Sequence, residues 1–308
     1  MIISASRRTD IPAFYPDWLL NRLRAGFVYV RNPRNRRQVV SVDLRPPVVD
    51  CIVFWTKNAG PLLAKLATIE QMGYPYYFQY TLTPYDRRLE PGLDKTAAVN
   101  SFMRLGDRIG PQRLIWRYDP VIINSFCTVE YHFEQFGRLC SQLSGYTVNC
   151  VISFVDWYRK LRRRTEGMID FAASRQSMVR LTQGFASIAA EYRLRLSACA
   201  EADLGVCGLT PAACIDQNLI EAICSCRLRL PPADALRSGC RCAASIDIGA
   251  YDSCGHGCLY CYATTDAKAA AATRLLHDPH SPLLAGSVDV PVAAKTVKSH
   301  KIAQTRLF

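Results

Sequence analysis

The chain has 308 residues, enough for one large hydrophobic core or two ordinary domains. An apolar content of 49% and a charged content of 21% are those of a folded protein in water, and no window holds the apolar, charge-free run that a membrane helix needs. The formal charge of +12 favours polyanionic partners or a phosphate-bearing substrate. Met1-Ile-Ile-Ser-Ala-Ser-Arg7-Arg8 lacks the charge order and length of a secretion signal, so the expected location is the cytoplasm. There, 14 cysteines point to metal binding rather than to disulfides. Cys51, Cys127, Cys140 and Cys150 are scattered and read as small buried residues, whereas the rest fall between Cys199 and Cys261.

In chain order, Ile2–Ser6 reads as a short buried strand with Arg7, Arg8, Thr9 and Asp10 at its C-terminal end. Pro16 opens a helix that stops at Gly26. Phe27–Asn32 and Gln38–Asp43 alternate as the two arms of a hairpin with an arginine-rich tip. Asp50–Trp55 is a continuous apolar strand that ends in Thr56, Lys57 and Asn58, followed by a helix from near Pro61 to Gly73. Tyr76–Thr83 is the next strand, and a helix covers about Thr96 to Ile109. Arg113–Arg117 is a strand ending at Tyr118, Asp119 and Pro120, and Thr128 caps a helix with Phe133, Phe136, Leu139 and Leu143 on one face. Cys150–Val155 is a strand that leads through Asp156 into the basic run Arg159–Arg164. A helix over Ser177–Tyr192 precedes the strand Leu194–Ala198, which ends at Cys199 and Glu201. Residues 202 to 244 read as irregular and cysteine-rich. Ser245–Gly249 is a seventh strand, Thr265–Leu276 an alanine-rich helix, and the tail from Ser281 is less regular.

Apolar strands alternating with helical patterns imply βαβ units and a parallel sheet. Six or seven such units predict an α/β fold, a partial or complete (β/α) barrel. No Gly-x-Gly-x-x-Gly follows a strand, which argues against a dinucleotide fold. In barrels the chemistry gathers at the C-terminal ends of the strands. That rule selects Arg7, Asp10, Lys57, Arg117, Asp119 and Glu201 as candidate catalytic residues, with Arg8, Asn58, Thr83 and Asp156 beside them. About half of such residues are expected to be helix caps or rim ion pairs.

The seventh strand runs into Cys254-Gly-His-Gly-Cys258-Leu-Tyr-Cys261, three cysteines on a short loop that Gly255 and Gly257 allow to fold tightly. A structural zinc ion asks for a fourth protein ligand, whereas an iron–sulfur cluster held by three cysteines keeps one iron open. His256 reads as a spacer. The loop, with an aromatic residue just before its third cysteine, resembles the motif of radical SAM enzymes. The resemblance implies that Cys254, Cys258 and Cys261 bind a [4Fe-4S] cluster whose open iron takes S-adenosylmethionine, and it places Tyr260 near the adenine. It also implies a reductant such as flavodoxin or ferredoxin as partner. In those enzymes the loop follows the first barrel strand. Here it follows the last, which reads as a circular permutation and predicts that strand 245–249 lies beside strand 2–6.

The whole chain is also similar to a family of uncharacterised bacterial proteins defined only as a domain of unknown function. The shared stretches are Ile3–Phe14, Phe54–Asn58, Trp116–Pro120, Cys199–Glu201 and Asp247–Tyr251. The resulting division is a barrel core over 1–201, a cysteine-rich insertion over 202–244, the strand, loop and helix completing the barrel over 245–278, and a tail over 279–308. Within the insertion and its flanks, Cys199, Cys214, Cys240 and Cys242 are the expected ligands of a second site, with an auxiliary iron–sulfur cluster and zinc both open.

The sequence thus predicts a radical SAM enzyme acting on an unidentified substrate, phosphate-bearing or nucleic acid on the strength of the basic segments at Arg31–Arg37 and Arg159–Arg164. The alternative is a zinc-stapled nucleic-acid-binding protein without catalytic activity.

Overall fold

The computed structural model describes residues 1–155, 161, 165, 174–201, 207–231, 239–288, 291–295 and 301–302. The chain opens with β1 (Ile2–Ala5), α1 (Ile11–Phe14), α2 (Pro16–Ala25) and the hairpin β2 (Phe27–Asn32) and β3 (Asn35–Asp43). Gly26 ends α2 in the left-handed region at φ 75°, the position that favours glycine. Next come β4 (Cys51–Thr56), α3 (Gly60–Leu63), α4 (Leu66–Gln71), β5 (Tyr76–Thr81), α5 (Lys95–Ile109), β6 (Leu114–Val121), α6 (Val129–Leu143) and β7 (Asn149–Phe154). The C-terminal half adds α7 (Arg175–Glu191), β8 (Arg195–Ala198), β9 (Thr210–Pro211), α8 (Gln217–Cys224), β10 (Arg227–Leu228), β11 (Ile246–Asp247), α9 (Ala267–Leu275), β12 (Val292–Lys295) and β13 (Lys301–Ile302).

Eight strands form one sheet in the order β11-β1-β4-β5-β6-β7-β8-β9, and every pairing in it is parallel. Among the described residues no pairing joins β9 back to β11, so the sheet is compatible with a partial barrel. The expected neighbour relation holds: β11 runs parallel to β1, with Ile3 opposite Ile246 and Ser4 opposite Asp247.

The period of two along each strand sorts side chains between two cores. Ile52 and Phe54 of β4, and Tyr76, Phe78 and Tyr80 of β5, face the helices. Cys51, Val53 and Tyr77 face the opposite side and join a second core. Trp116 of β6 stacks on Phe136 of α6 with ring centroids 5.2 Å apart, and Phe136 stacks on Phe185 of α7 at 4.2 Å. Each such fully buried aromatic contributes about 1.5–3 kcal/mol by removing apolar surface from water.

The segment after β8 differs from its expected irregularity. It supplies β9 at the sheet edge and α8, capped by Asp216, whose side chain accepts from Asn218 N and Leu219 N. Ala212, Cys214, Ile215, Ile220 and Leu228 then pack against Cys51, Val53, Tyr77 and Ile115, so this segment covers the face of the sheet away from the main helical core. Its many cysteines and short helix hide an apolar face too brief for a clear 3.6-residue period. Two smaller differences follow local geometry. The helix expected from Pro61 to Gly73 is split into α3 and α4 by a turn at Ala64–Lys65, and β6 continues past Arg117 to Val121. The less regular tail adds β12 alongside β3, in parallel. Of the basic run 159–164, only Leu161 is among the described residues. No described helix is long and apolar enough to cross a membrane.

Candidate active site

The C-terminal ends of the parallel strands open into one cavity of about 520 Å³. Among the expected site residues, Arg7, Asp10, Lys57, Arg117, Asp119 and Tyr260 line it. So do Cys254, Cys258 and Cys261, and with them Cys199, Cys214, Cys240 and Cys242. Glu201 is the exception. Its carboxylate accepts the backbone N–H of Phe154 at 2.9 Å, which anchors the end of β7 beside the cavity.

The cysteine loop is built onto β1 by a polar lattice. Asp247, at the end of β11, accepts from Ser4 Oγ at 2.9 Å, Ser6 Oγ at 2.6 Å, the N–H of Arg7 at 2.8 Å and the N–H of Gly249 at 3.0 Å. Gly249 is required here, because a Cβ would lie 2.0 Å from Ser6 Oγ. Tyr262 donates its hydroxyl to the carbonyl of Arg7 at 2.8 Å.

His256 is not a spacer. It is 4% exposed, and its Nε2 lies 2.8 Å from Asp10 Oδ2. Asp10 also accepts from Ala13 N at 2.9 Å as the N-cap of α1, from Thr56 Oγ1 at 2.8 Å and from Lys57 N at 2.7 Å. One buried carboxylate therefore joins the ends of β1 and β4 to the cysteine loop. Across from it, Gly92 N donates to the carbonyl of His256 at 3.0 Å, and Leu259 N to the carbonyl of Leu89 at 3.0 Å. A Cβ at Gly92 would stand 2.7 Å from the carbonyl oxygens of both Gly255 and His256.

Glu90 was not singled out by the sequence, since it lies in a loop after β5 with no distinguishing pattern. It is fully buried. It accepts from Lys57 Nζ at 2.7 Å, Thr83 Oγ1 at 2.8 Å, the Lys95 ammonium and the Tyr260 hydroxyl. Burial pushes its carboxyl up, but Lys57 and Lys95 overcome that and hold it at about 2. Burial alone would lower the Lys57 ammonium; Glu90 and the Cys258 sulfur outweigh it and raise the lysine. Tyr260 is thus fixed under the loop, with the Lys57 ammonium 5.6 Å from its ring centroid.

On the far wall, Arg117 bonds Asp119 through Nε at 2.9 Å and reaches Cys214 Sγ with Nη1 at 2.9 Å. Ser153 donates to the other oxygen of Asp119. The Arg7 and Arg117 guanidiniums approach the Trp55 ring at 5.8 and 5.4 Å, which gives the indole two cationic neighbours.

Cys254, Cys258 and Cys261 face the same space and influence one another electrostatically. Burial pushes the Cys254 thiol up to about 12, with Asp10 and Cys261 adding to it, and burial pushes Cys258 up further. Such thiols become good ligands when a metal displaces their protons. Among the described residues no three His, Cys, Asp or Glu side chains converge on one ion. A zinc ion would need its thiolates about 2.3 Å from a single point. A cluster spreads its ligands over several irons. Three thiols lining one cavity are the donor set that a cluster with one open iron would take.

The fold and this strand-end cavity define an α/β protein with an eight-stranded parallel sheet. A family model described as "Domain of unknown function (DUF1848)" matches residues 2–263, and the chain belongs to that family. No curated protein and no solved structure matches it.

Proposed function

We propose that the chain is a radical SAM enzyme whose [4Fe-4S] cluster is held by Cys254, Cys258 and Cys261. The observation that carries this reading is the placement of the loop. The strand before it pairs in parallel with β1, and its three cysteines line a cavity at the strands' C-terminal ends. When bound, the cluster would supply the electron that splits the sulfonium of S-adenosylmethionine and yields a 5′-deoxyadenosyl radical. A small redox protein such as flavodoxin or ferredoxin would deliver that electron. The sheet order supports the permuted arrangement, with β11 in the place of a first barrel strand and β1 as the second.

The chain's own residues would divide the work. Asp10, engaged by four donors, positions the loop through His256 rather than reacting. Glu90 holds Tyr260 and Lys57 in place beneath Cys258. Arg7 and Arg8 share the Asp247 carboxylate at the long distances of 3.8 and 3.9 Å and line the cavity. Both guanidiniums could therefore turn to a carboxylate or phosphate of cofactor or substrate. The substrate is proposed to be anionic, with nucleic acid among the candidates; the cytoplasm, where thiols stay reduced, is the compartment this chemistry requires.

The test is anaerobic iron and sulfide quantification on wild type and Cys258→Ala, paired with release of 5′-deoxyadenosine from S-adenosylmethionine under dithionite. A brown wild-type protein that bleaches on reduction and cleaves the cofactor, with both properties lost in Cys258→Ala, is expected. A colourless, zinc-loaded protein after anaerobic reconstitution would overturn the proposal in favour of a zinc-stapled binding module.

A further inference from the structure

The geometry points to a second metal–thiolate centre, held by Cys199, Cys214, Cys240 and Cys242, which line the same cavity as the first cysteine loop. Cys199 and Cys214 come from separate turns of the chain, after β8 and after β9, yet their sulfurs are 3.2 Å apart. Cys242 lies close enough to Cys214, and to Cys240, for the thiols to influence one another's charge. All four line the cavity.

Cys214 is held as a rigid ligand would be. Its carbonyl accepts from Tyr77 OH at 2.7 Å and from Gln79 Nε2 at 2.9 Å, while Asp216 N donates to the same tyrosine hydroxyl at 3.1 Å. The pair Cys199–Cys214 therefore sits on the sheet and its inner packing. Cys240 and Cys242 lie on residues 239–245, which have no helix or strand and are tied to the core by Ala243 N to Ile215 O at 2.9 Å. Two fixed thiols and two on an irregular segment suit a site that closes when metal arrives. Among the described residues no three such side chains yet converge on one ion.

A second, independent observation is Arg117. It is 5% exposed; Nη1 meets Cys214 Sγ at 2.9 Å and Gln79 Oε1 at 3.3 Å, while Nε and Nη2 are taken by Asp119. Four thiolates around a divalent ion or an iron–sulfur core carry net negative charge. A buried guanidinium beside the sulfur offsets it, a role that an ordinary buried thiol does not require. The ligand chemistry is thus a thiophilic metal, either one zinc ion or an iron–sulfur cluster. The thiol protons leave to solvent as it binds.

The inference stands apart from the chemistry proposed for the first loop, and its test reads metal rather than activity. A variant with Cys254, Cys258 and Cys261 all changed to Ala is reconstituted anaerobically in two arms, ferrous iron with sulfide, and zinc alone. It is expected to retain metal in one arm: visible absorbance with matched iron and sulfide marks a cluster, and stoichiometric zinc in a colourless protein marks an ion. Adding Cys214→Ser and Cys242→Ser should abolish that retention. The same two serine changes in the otherwise native chain should lower its metal content by one centre, with near-native far-UV circular dichroism, should the triple variant not fold. Three results would overturn the assignment. One is a folded triple-Ala variant empty in both arms. Another is retention unaffected by the serine changes. The third is a Cys199–Cys214 disulfide recovered by peptide mass spectrometry from anaerobic, metal-free protein.

Discussion

Two buried groups are expected to make stability fall at acid pH by different routes. His132 is fully buried. Tyr118 OH lies 2.7 Å from its Nδ1 and the Ile122 carbonyl 2.8 Å from its Nε2. Burial holds the imidazole down at about 4 from its ordinary 6.5. The unfolded state therefore takes up this proton first, and the stabilisation present above pH 6.5 is lost as pH falls through 4. The difference corresponds to about 3 kcal/mol. Glu90 acts lower down: held at about 2 against an ordinary 4.5, its contribution is present above pH 4.5 and disappears toward pH 2. Urea midpoints measured against pH should fall in both windows. His132→Gln is expected to flatten the upper one only, and Glu90→Gln the lower one only. A glycine supplies a second test. Gly92→Ala sets a Cβ against the carbonyls of Gly255 and His256 and should displace the cysteine loop, at a cost of about 1–3 kcal/mol. The expected readout is a large loss of bound iron with little change in far-UV circular dichroism.

At the level of elements, β11 is the weak link that matters most. It contributes two residues of register against β1, too few to hold a strand by backbone bonds alone. Asp247 compensates by collecting donors from β1 and from the turn after it. Asp247→Ala leaves those buried groups without their acceptor, at about 1–3 kcal/mol for each one not rescued by water. The variant is expected to keep the β4–β8 sheet but fail to incorporate metal at Cys254, Cys258 and Cys261. Normal metal content in folded Asp247→Ala protein would show that the strand pairing does not position the loop.

Across the whole molecule, the helices cover one face of the sheet and the segment 212–228 packs against the other. Ile220, fully buried on α8, is part of that filling. Ile220→Ala should cost about 2–5 kcal/mol through the cavity it leaves, seen as a lowered melting temperature. The same segment carries Cys214 to Arg117, so loss of its packing and loss of metal at the second cysteine set are expected to go together.

What the residues determined by themselves was local and periodic. Apolar runs ending in polar residues located seven of the eight sheet strands, because burial on both faces leaves a continuous apolar signature. Pro16, Gly26 and Thr128 marked helix ends through their own backbone and capping chemistry. The spacing of Cys254, Cys258 and Cys261, and the polar strand ends from Arg7 to Asp119, were legible for the same reason: each is a short-range pattern. Tertiary structure decided which of those groups meet. Glu90 had no sequence mark because its partners Lys57, Thr83, Lys95 and Tyr260 converge on it only in space. His256 looked like filler between glycines until the fold brought Asp10 to it across 246 positions. Strand-end chemistry is written along the chain, but hydrogen bonds and thiol pairs depend on distances that only the packed sheet sets.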